Sequence, residues 1–171
     1  MRFTYCPDCG QKLILKDIGD EGATPYCEAC KTAWFDMFST CVITLVTNDK
    51  DEVLLLNQDY ISTQYRNLVS GYMKPGERAE DAAKREVLEE VGIELKELKL
   101  VSTHWFAKKG LLMIGFIGKA ANTNLILSKE VDGAAWIKAT EALPLVHPKS
   151  SGSVSHILVE EYINKLKKAG C

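Results

Sequence analysis

The sequence predicts an α/β protein, an α/β/α sandwich in which a mixed, curved sheet lies between two helices, preceded by a small zinc ribbon. Three observations carry this expectation. Short apolar runs bounded by turn residues recur between residues 38 and 138. Two segments, 79–91 and 154–168, repeat apolar residues at helical spacing. Four cysteines fall as two C-x-x-C pairs within the first 30 residues.

The main domain is read over 37–171 and the ribbon over 1–36. Strands are predicted for 38–47 and 52–58, with the polar NDKD between them as a hairpin turn. Residues 64–72 form a third strand or extended segment. Pro75-Gly76 breaks the chain, and a helix follows over 79–91, stopped by Gly92. Ala79, Ala83, Val87 and Val91 give it an apolar stripe. Further strands are expected at 95–103, 111–119 and 134–138. The stretch 144–153 is expected as a loosely structured loop before the last helix.

With 171 residues, 46% of them apolar, the chain can fill one core. Its net charge of −2 argues against nucleic acid or a membrane surface as a partner. No apolar run approaches the roughly 20 residues that a membrane-spanning helix needs. The opening MRFTYCPDCG has no apolar secretory core, so the reading is cytoplasmic.

Cys6-Pro-Asp-Cys9 and Cys27-Glu-Ala-Cys30 have the spacing of a four-thiolate zinc site. Four ligands fill a tetrahedron, so this Zn²⁺ is structural and not catalytic. Residues 1–36 hold four Lys/Arg against six Asp/Glu, a poor phosphate-binding balance. The module is read as a stabilising or dimerisation element, which makes a homodimer an expectation. Cys41 is read as core, and Cys171 as a terminal free thiol.

The chemistry concentrates in GYMKPGERAEDAAKREVLEEVGI, residues 71–93. On a helix turning about 100° per residue, Glu86, Glu89 and Glu90 fall within an arc of about 100°. Like charges at i,i+4 oppose helix formation. Carboxylates gathered toward a cleft therefore call for a hard cation such as Mg²⁺ or Mn²⁺. Taken alone, EVLEE would be an ordinary solvated acidic face; its flanks decide otherwise. The segment resembles the Nudix box: Gly71, five residues, Glu77, seven residues, Arg85-Glu86, Val87, Glu89-Glu90, Gly92 and Ile93 all match. The carboxylate of Glu77 is placed to pair with Arg85 and tie the loop to the helix. Arg78 stands where a Ser or Thr cap is common, which leaves the helix start without a side-chain cap.

That resemblance implies a divalent-metal-dependent hydrolase of nucleoside-diphosphate-linked substrates. It implies Glu86, Glu89 and Glu90 as metal ligands, helped by the carbonyl of Ser70 beside Gly71. A ribbon fused before such a domain resembles the NADH pyrophosphatase branch, which implies NADH or NAD⁺ as substrate and nicotinamide mononucleotide and AMP as products. That branch carries Ser-Gln-Pro-Trp-Pro-Phe-Pro after the box. Here Ser102 and Trp105 match in Ser102-Thr103-His104-Trp105-Phe106 and the prolines are absent. Trp105 and Phe106 are candidates to stack on a substrate ring, and His104 to touch a phosphate. The branch also has a Glu six residues before a Trp, a spacing held by Glu130 and Trp136, which makes Glu130 the candidate base or further ligand. Competing readings are an ADP-ribose or nucleotide-sugar pyrophosphatase, an RNA-end decapping protein, and a ligand-sensing regulator.

Overall fold

The computed structural model describes residues 3–169; Cys171 lies outside them. The chain divides into two compact units, one through Phe38 and one from Ser39 onward.

The first unit is a three-stranded antiparallel sheet, β1 (Ile14–Asp17), β2 (Ala23–Cys27) and β3 (Thr32–Ala33), in the order β1-β2-β3. A single 3₁₀ turn, Gly19–Glu21, joins β1 to β2. Its apolar content is small: Phe3 meets Trp34 edge-on with ring centroids 5.5 Å apart, and the Lys16 ammonium sits 4.1 Å over the Tyr26 ring. So little buried surface cannot hold a fold of this size unaided.

The second unit is built on β4 (Ser39–Thr47), whose residues Cys41 to Thr47 are all buried. β5 (Glu52–Gln58) follows through the expected turn, where the Asn48 side-chain oxygen accepts from the Lys50 and Glu52 amides. The predicted segment 64–72 is two strands, β6 (Ser62–Asn67) and β7 (Val69–Tyr72), divided at the buried Leu68. The division has a topological cause. β4 and β5 are paired through Thr47↔Val53, and beyond that point β6 lies on β5 while β7 lies on β4.

α1 (Ala79–Val91) occupies the range predicted for it. β8 (Leu95–Phe106) and β9 (Leu111–Ala120) form a long hairpin, and β9 runs parallel to β4. β10 (Gly133–Lys138) closes the other edge on β5. The sheet order is β10-β5-β4-β9-β8. The loop expected at 144–153 is tighter than a free loop. It follows the short α2 (Ala139–Ala142) and contains 3₁₀ turns at Leu143–Leu145 and Lys149–Ser151. α3 (Val154–Ala169) ends the described chain.

Strand alternation sorts the core into two layers. Ile43, Leu45, Val53 and Leu55 pack with Val154, Leu158, Val159 and Tyr162 of α3. Val46, Leu54, Leu56 and Val69 pack with Val87 and Val91 of α1, and Val42 and Phe116 pack with Ala82 and Ala83. Among the described residues, no helix is long and apolar enough to cross a membrane.

Candidate active site

The box segment begins on β7 and ends at Gly92. Gly71 lies opposite Val42 of β4, on the sheet face that α1 covers. A side chain there would overlap the Glu86 carboxylate, so the helix approaches as closely as a bare backbone allows. The following loop turns through Gly76 at φ 81°. Glu77 then accepts from the Lys74 amide at 3.0 Å. The helix starts at Arg78 without a side-chain cap, as the sequence indicated; the guanidinium bonds Asp81 instead. Gly92 closes α1 in the left-handed conformation, φ 70°, with its N–H donating to the Leu88 carbonyl.

Arg85 is the hub of this region. Its Nε and Nη2 donate to the two Glu77 carboxylate oxygens at 2.7 and 2.9 Å, and Nη2 also reaches the Tyr72 carbonyl at 3.2 Å. Its Nη1 donates to Glu86 at 2.6 Å and Glu89 at 2.9 Å. The clamp holds Glu77 down to about 2, through the Arg85 hydrogen bonds first and the Lys74 amide second. One guanidinium faces three carboxylates, and with the Lys74 ammonium 3.7 Å from Glu89 the positive charges still fall short of the carboxylates once Glu90 is counted.

Glu90 shows that shortfall. Its side chain is 5% exposed, and Oε2 has no hydrogen-bond partner. Burial pushes it up to about 8, the Glu86 charge adds to this, and the Ser70 amide opposes it. Glu130 and Glu89 push in the same direction as Glu86, so all four acids share one field. A buried, unpaired carboxylate oxygen among like charges suits a hard divalent cation. Glu86, Glu89 and Glu90 would hold it, and when bound it supplies neutralising charge for a diphosphate and activates water for attack.

Glu130 reaches this field through a strap, residues 121–132. The amides of Ala121, Ile126 and Ser128 donate to the carbonyls of Glu94, Val91 and Glu90, at 2.8, 3.0 and 2.9 Å. The Glu90 and Val91 carbonyls are among the last of α1 and have no partner within the helix. Ile126 packs against Gly92, where an added Cβ would come within 2.7 Å of the Ile126 Cβ. The Trp136 indole N–H bonds the Thr123 carbonyl at 3.2 Å. The Glu-to-Trp spacing noticed in the sequence is thus the distance from the acid to the residue that fastens its strap to the sheet.

The aromatic pair divides. Trp105 lies opposite Leu112, which lies opposite Thr40, on the α1 face of the sheet, and it is 58% exposed. Phe106 and His104 alternate with it and turn to the α3 face, so neither shares the face of the carboxylates. His104 Nε2 instead lies 2.7 Å from the Ser102 hydroxyl. The sequence reading did not single out Gln58, Tyr60 or Asp132, which border the same site; the only signal in the chain was proximity to a strand end.

In the first unit the four cysteine sulfurs lie within 4.8 Å of one another. Cys9 and Cys27 stand 3.5 Å apart and Cys6 and Cys30 3.9 Å apart. A tetrahedral zinc with Zn–S bonds of about 2.3 Å has sulfurs about 3.8 Å apart, so the quartet fits that ion. Cys41 of the second unit is buried at the β4 start, and burial pushes its thiol up to about 11.

The NUDIX domain family profile matches residues 37–156. The chain is 30% identical over 168 residues to a protein of Pseudomonas putida named NAD-capped RNA hydrolase NudC, covering 98% of this chain and 58% of that protein. A protein of the same name from Photobacterium profundum is 29% identical, with 96% and 59% covered. The chain thus spans somewhat under two thirds of these relatives. The structure is similar to a NUDIX hydrolase from Nitrosomonas europaea, with a TM-score of 0.74, 20% identity, and 95% and 92% of the two chains covered. It is also similar to the E. coli dihydroneopterin triphosphate pyrophosphohydrolase, with a TM-score of 0.55, 19% identity, and 75% and 99% covered.

Proposed function

This chain belongs to the Nudix family, and from that premise we propose that it hydrolyses the pyrophosphate of an NAD-linked substrate in the presence of Mg²⁺ or Mn²⁺, releasing nicotinamide mononucleotide from the adenylate half. The observation that carries the reading is the buried, unpartnered Glu90 oxygen set among Glu86, Glu89 and Glu130. A diphosphate repels nucleophiles, and this arrangement recruits the counter-charge that removes the repulsion.

The residues divide the work. Arg85 and Glu77 hold the loop 72–77 against α1 and keep Glu86 and Glu89 aligned. Gly71 admits the helix. Glu130 acts as a base or further ligand, and the Ser70 carbonyl as a backbone ligand. The four cysteines hold a structural Zn²⁺, and a reducing cytoplasm suits them.

The NAD preference draws support from the relatives' name, NAD-capped RNA hydrolase. The same pyrophosphate occurs in free NAD and in an NAD cap, so either form presents the bond this site would cut. The deciding experiment is a turnover panel with each metal over NADH, NAD⁺, ADP-ribose, dinucleoside polyphosphates and an NAD-capped RNA. The reading expects nicotinamide mononucleotide from the first two or the last. Turnover confined to ADP-ribose or dinucleoside polyphosphates overturns it.

A further inference from the structure

Three aromatic rings of the second unit are strongly exposed among the described residues: Tyr60, Tyr72 and Trp105, at 70%, 57% and 58%. Their positions relative to the carboxylates differ. Tyr72 lies opposite Cys41, whose alternate neighbours Ile43 and Leu45 pack toward α3, so Tyr72 belongs to the far face. Trp105 shares the α1 face but stands on β8, three strands from Gly71. At about 4.8 Å per strand that is roughly 14 Å away.

Tyr60 lies in the β5–β6 connection, a turn closed by the Ile61 amide on the Gln58 carbonyl at 2.8 Å and tied to the strap that carries Glu130. Gln58, 2% exposed, follows Leu54 and Leu56 on the α1 face and donates its side-chain amide to the Tyr60 phenol oxygen at 3.4 Å. Among the described residues the Gln58 Oε1 is buried without a partner, and the bond from its Nε2 holds the ring. The Asp59 amide donates to Asp132 Oδ2 at 2.8 Å, and the Asp132 amide donates to the Asn57 carbonyl at 2.9 Å. Asp132 is two residues from Glu130, and Ser128 of the same strap is bonded to the Glu90 carbonyl. The turn bearing Tyr60 and the strap bearing Glu130 are thus stitched together. After burial, the charges of Glu90, Glu130, Asp132 and Glu86 oppose ionisation of the phenol, which places the ring within their field.

A buried amide holding an exposed ring beside a phosphate-directed cluster has the form of a stacking platform. Planar heteroaromatic rings stack on such surfaces, and the contact is tolerant of ring identity. We propose that Tyr60 is a specificity-determining residue that stacks on one heteroaromatic ring of the nucleotide substrate, with Gln58 as the positioning residue that fixes its orientation. This rests on the nucleotide-pyrophosphatase reading above and names the contact that selects the substrate.

The test compares Tyr60→Phe, Tyr60→Leu and Gln58→Met with the unaltered protein, using NADH and ADP-ribose. A stacking role predicts that Tyr60→Leu raises KM by about tenfold, with kcat within about twofold. Tyr60→Phe keeps the ring and stays near normal. Gln58→Met raises KM by a smaller factor. An effect confined to NADH assigns the ring to nicotinamide, and an effect on both substrates assigns it to adenine. The Kd of NADH, from its fluorescence without added divalent ion, gives the same comparison independently of turnover. If NADH binds more weakly to Tyr60→Leu but no protein turns it over, the platform stands and the hydrolytic reading falls. If Tyr60→Leu, folded with an unchanged Tm, leaves KM and Kd unaltered, the platform is overturned. Failure of the unaltered protein to bind or cleave either nucleotide overturns it as well.

Discussion

The carboxylate of Glu77 accepts two hydrogen bonds from Arg85, at 2.7 and 2.9 Å, eight residues along the chain and across the start of α1. Both side chains are less than one fifth exposed. The pair welds the loop to the helix and leaves Nη1 free to hold Glu86 and Glu89. Arg85→Lys keeps a charge but cannot reproduce this fork. It is expected to lower kcat by about tenfold or more and to lower Tm, read by steady-state kinetics and thermal melting. Because Glu77 lies at about 2, below its ordinary 4.5, its stabilising contribution is full at neutral pH and is lost only as pH falls between those values. Glu77→Gln should flatten that acid limb of the stability profile.

Glu90 behaves oppositely. Its value of about 8 lies above 4.5, so between these pH values the folded state binds more protons than the unfolded state. Without added divalent ions, stability should fall as pH rises through this window. A cation replaces the proton, so the Tm gain on adding Mg²⁺ should grow from pH 6 to 8. Glu90→Gln should abolish the growth. A gain that is flat with pH in the unaltered protein would contradict this assignment.

Replacement of Glu86, Glu89 or Glu90 by Gln keeps shape and removes charge. Each is expected to reduce kcat by orders of magnitude with a native melting transition. Gly71→Ala reaches the same end by geometry, since its methyl group would displace the Glu86 carboxylate. Near-normal turnover in all four variants would sink the metal-carboxylate mechanism.

Glu130→Gln tests the strap. As base or ligand, Glu130 should affect kcat more than KM, by about tenfold or more. Trp136→Phe keeps an aromatic ring but removes the indole N–H that reaches the Thr123 carbonyl, along with part of the ring volume. It should produce a weaker loss of the same kind. Unchanged kinetics in Glu130→Gln would reduce it to a surface residue.

One equivalent of zinc should copurify, and Cys9→Ser should lower it and destabilise the first unit. Metal analysis and a two-transition melt would show this. Turnover per folded second unit should stay near normal, because no cysteine of the quartet belongs to the carboxylate cluster.

The sequence by itself determined the parts of this protein that depend on local spacing. Helical periodicity places α1 at 79–91, and the 100° turn per residue puts three glutamates on one arc. The paired C-x-x-C spacing identifies the sulfur quartet, and the Glu77–Arg85 pair follows from eight residues of separation across a turn. Only the tertiary structure decided how distant segments meet. The break at Leu68, which sends β6 to β5 and β7 to β4, depends on β4 and β5 parting after Thr47↔Val53. The separation of Trp105 from Phe106 is the pleat of a strand whose register is set by β9. Tyr60 and Glu130 lie 70 residues apart in sequence and are joined through the bond from the Asp59 amide to Asp132, while the Glu90 and Val91 carbonyls ending α1 hold the strap that carries Glu130. Such contacts leave no periodic trace along the chain, because each partner satisfies a backbone group or a charge that exists only once the helix and sheet have packed.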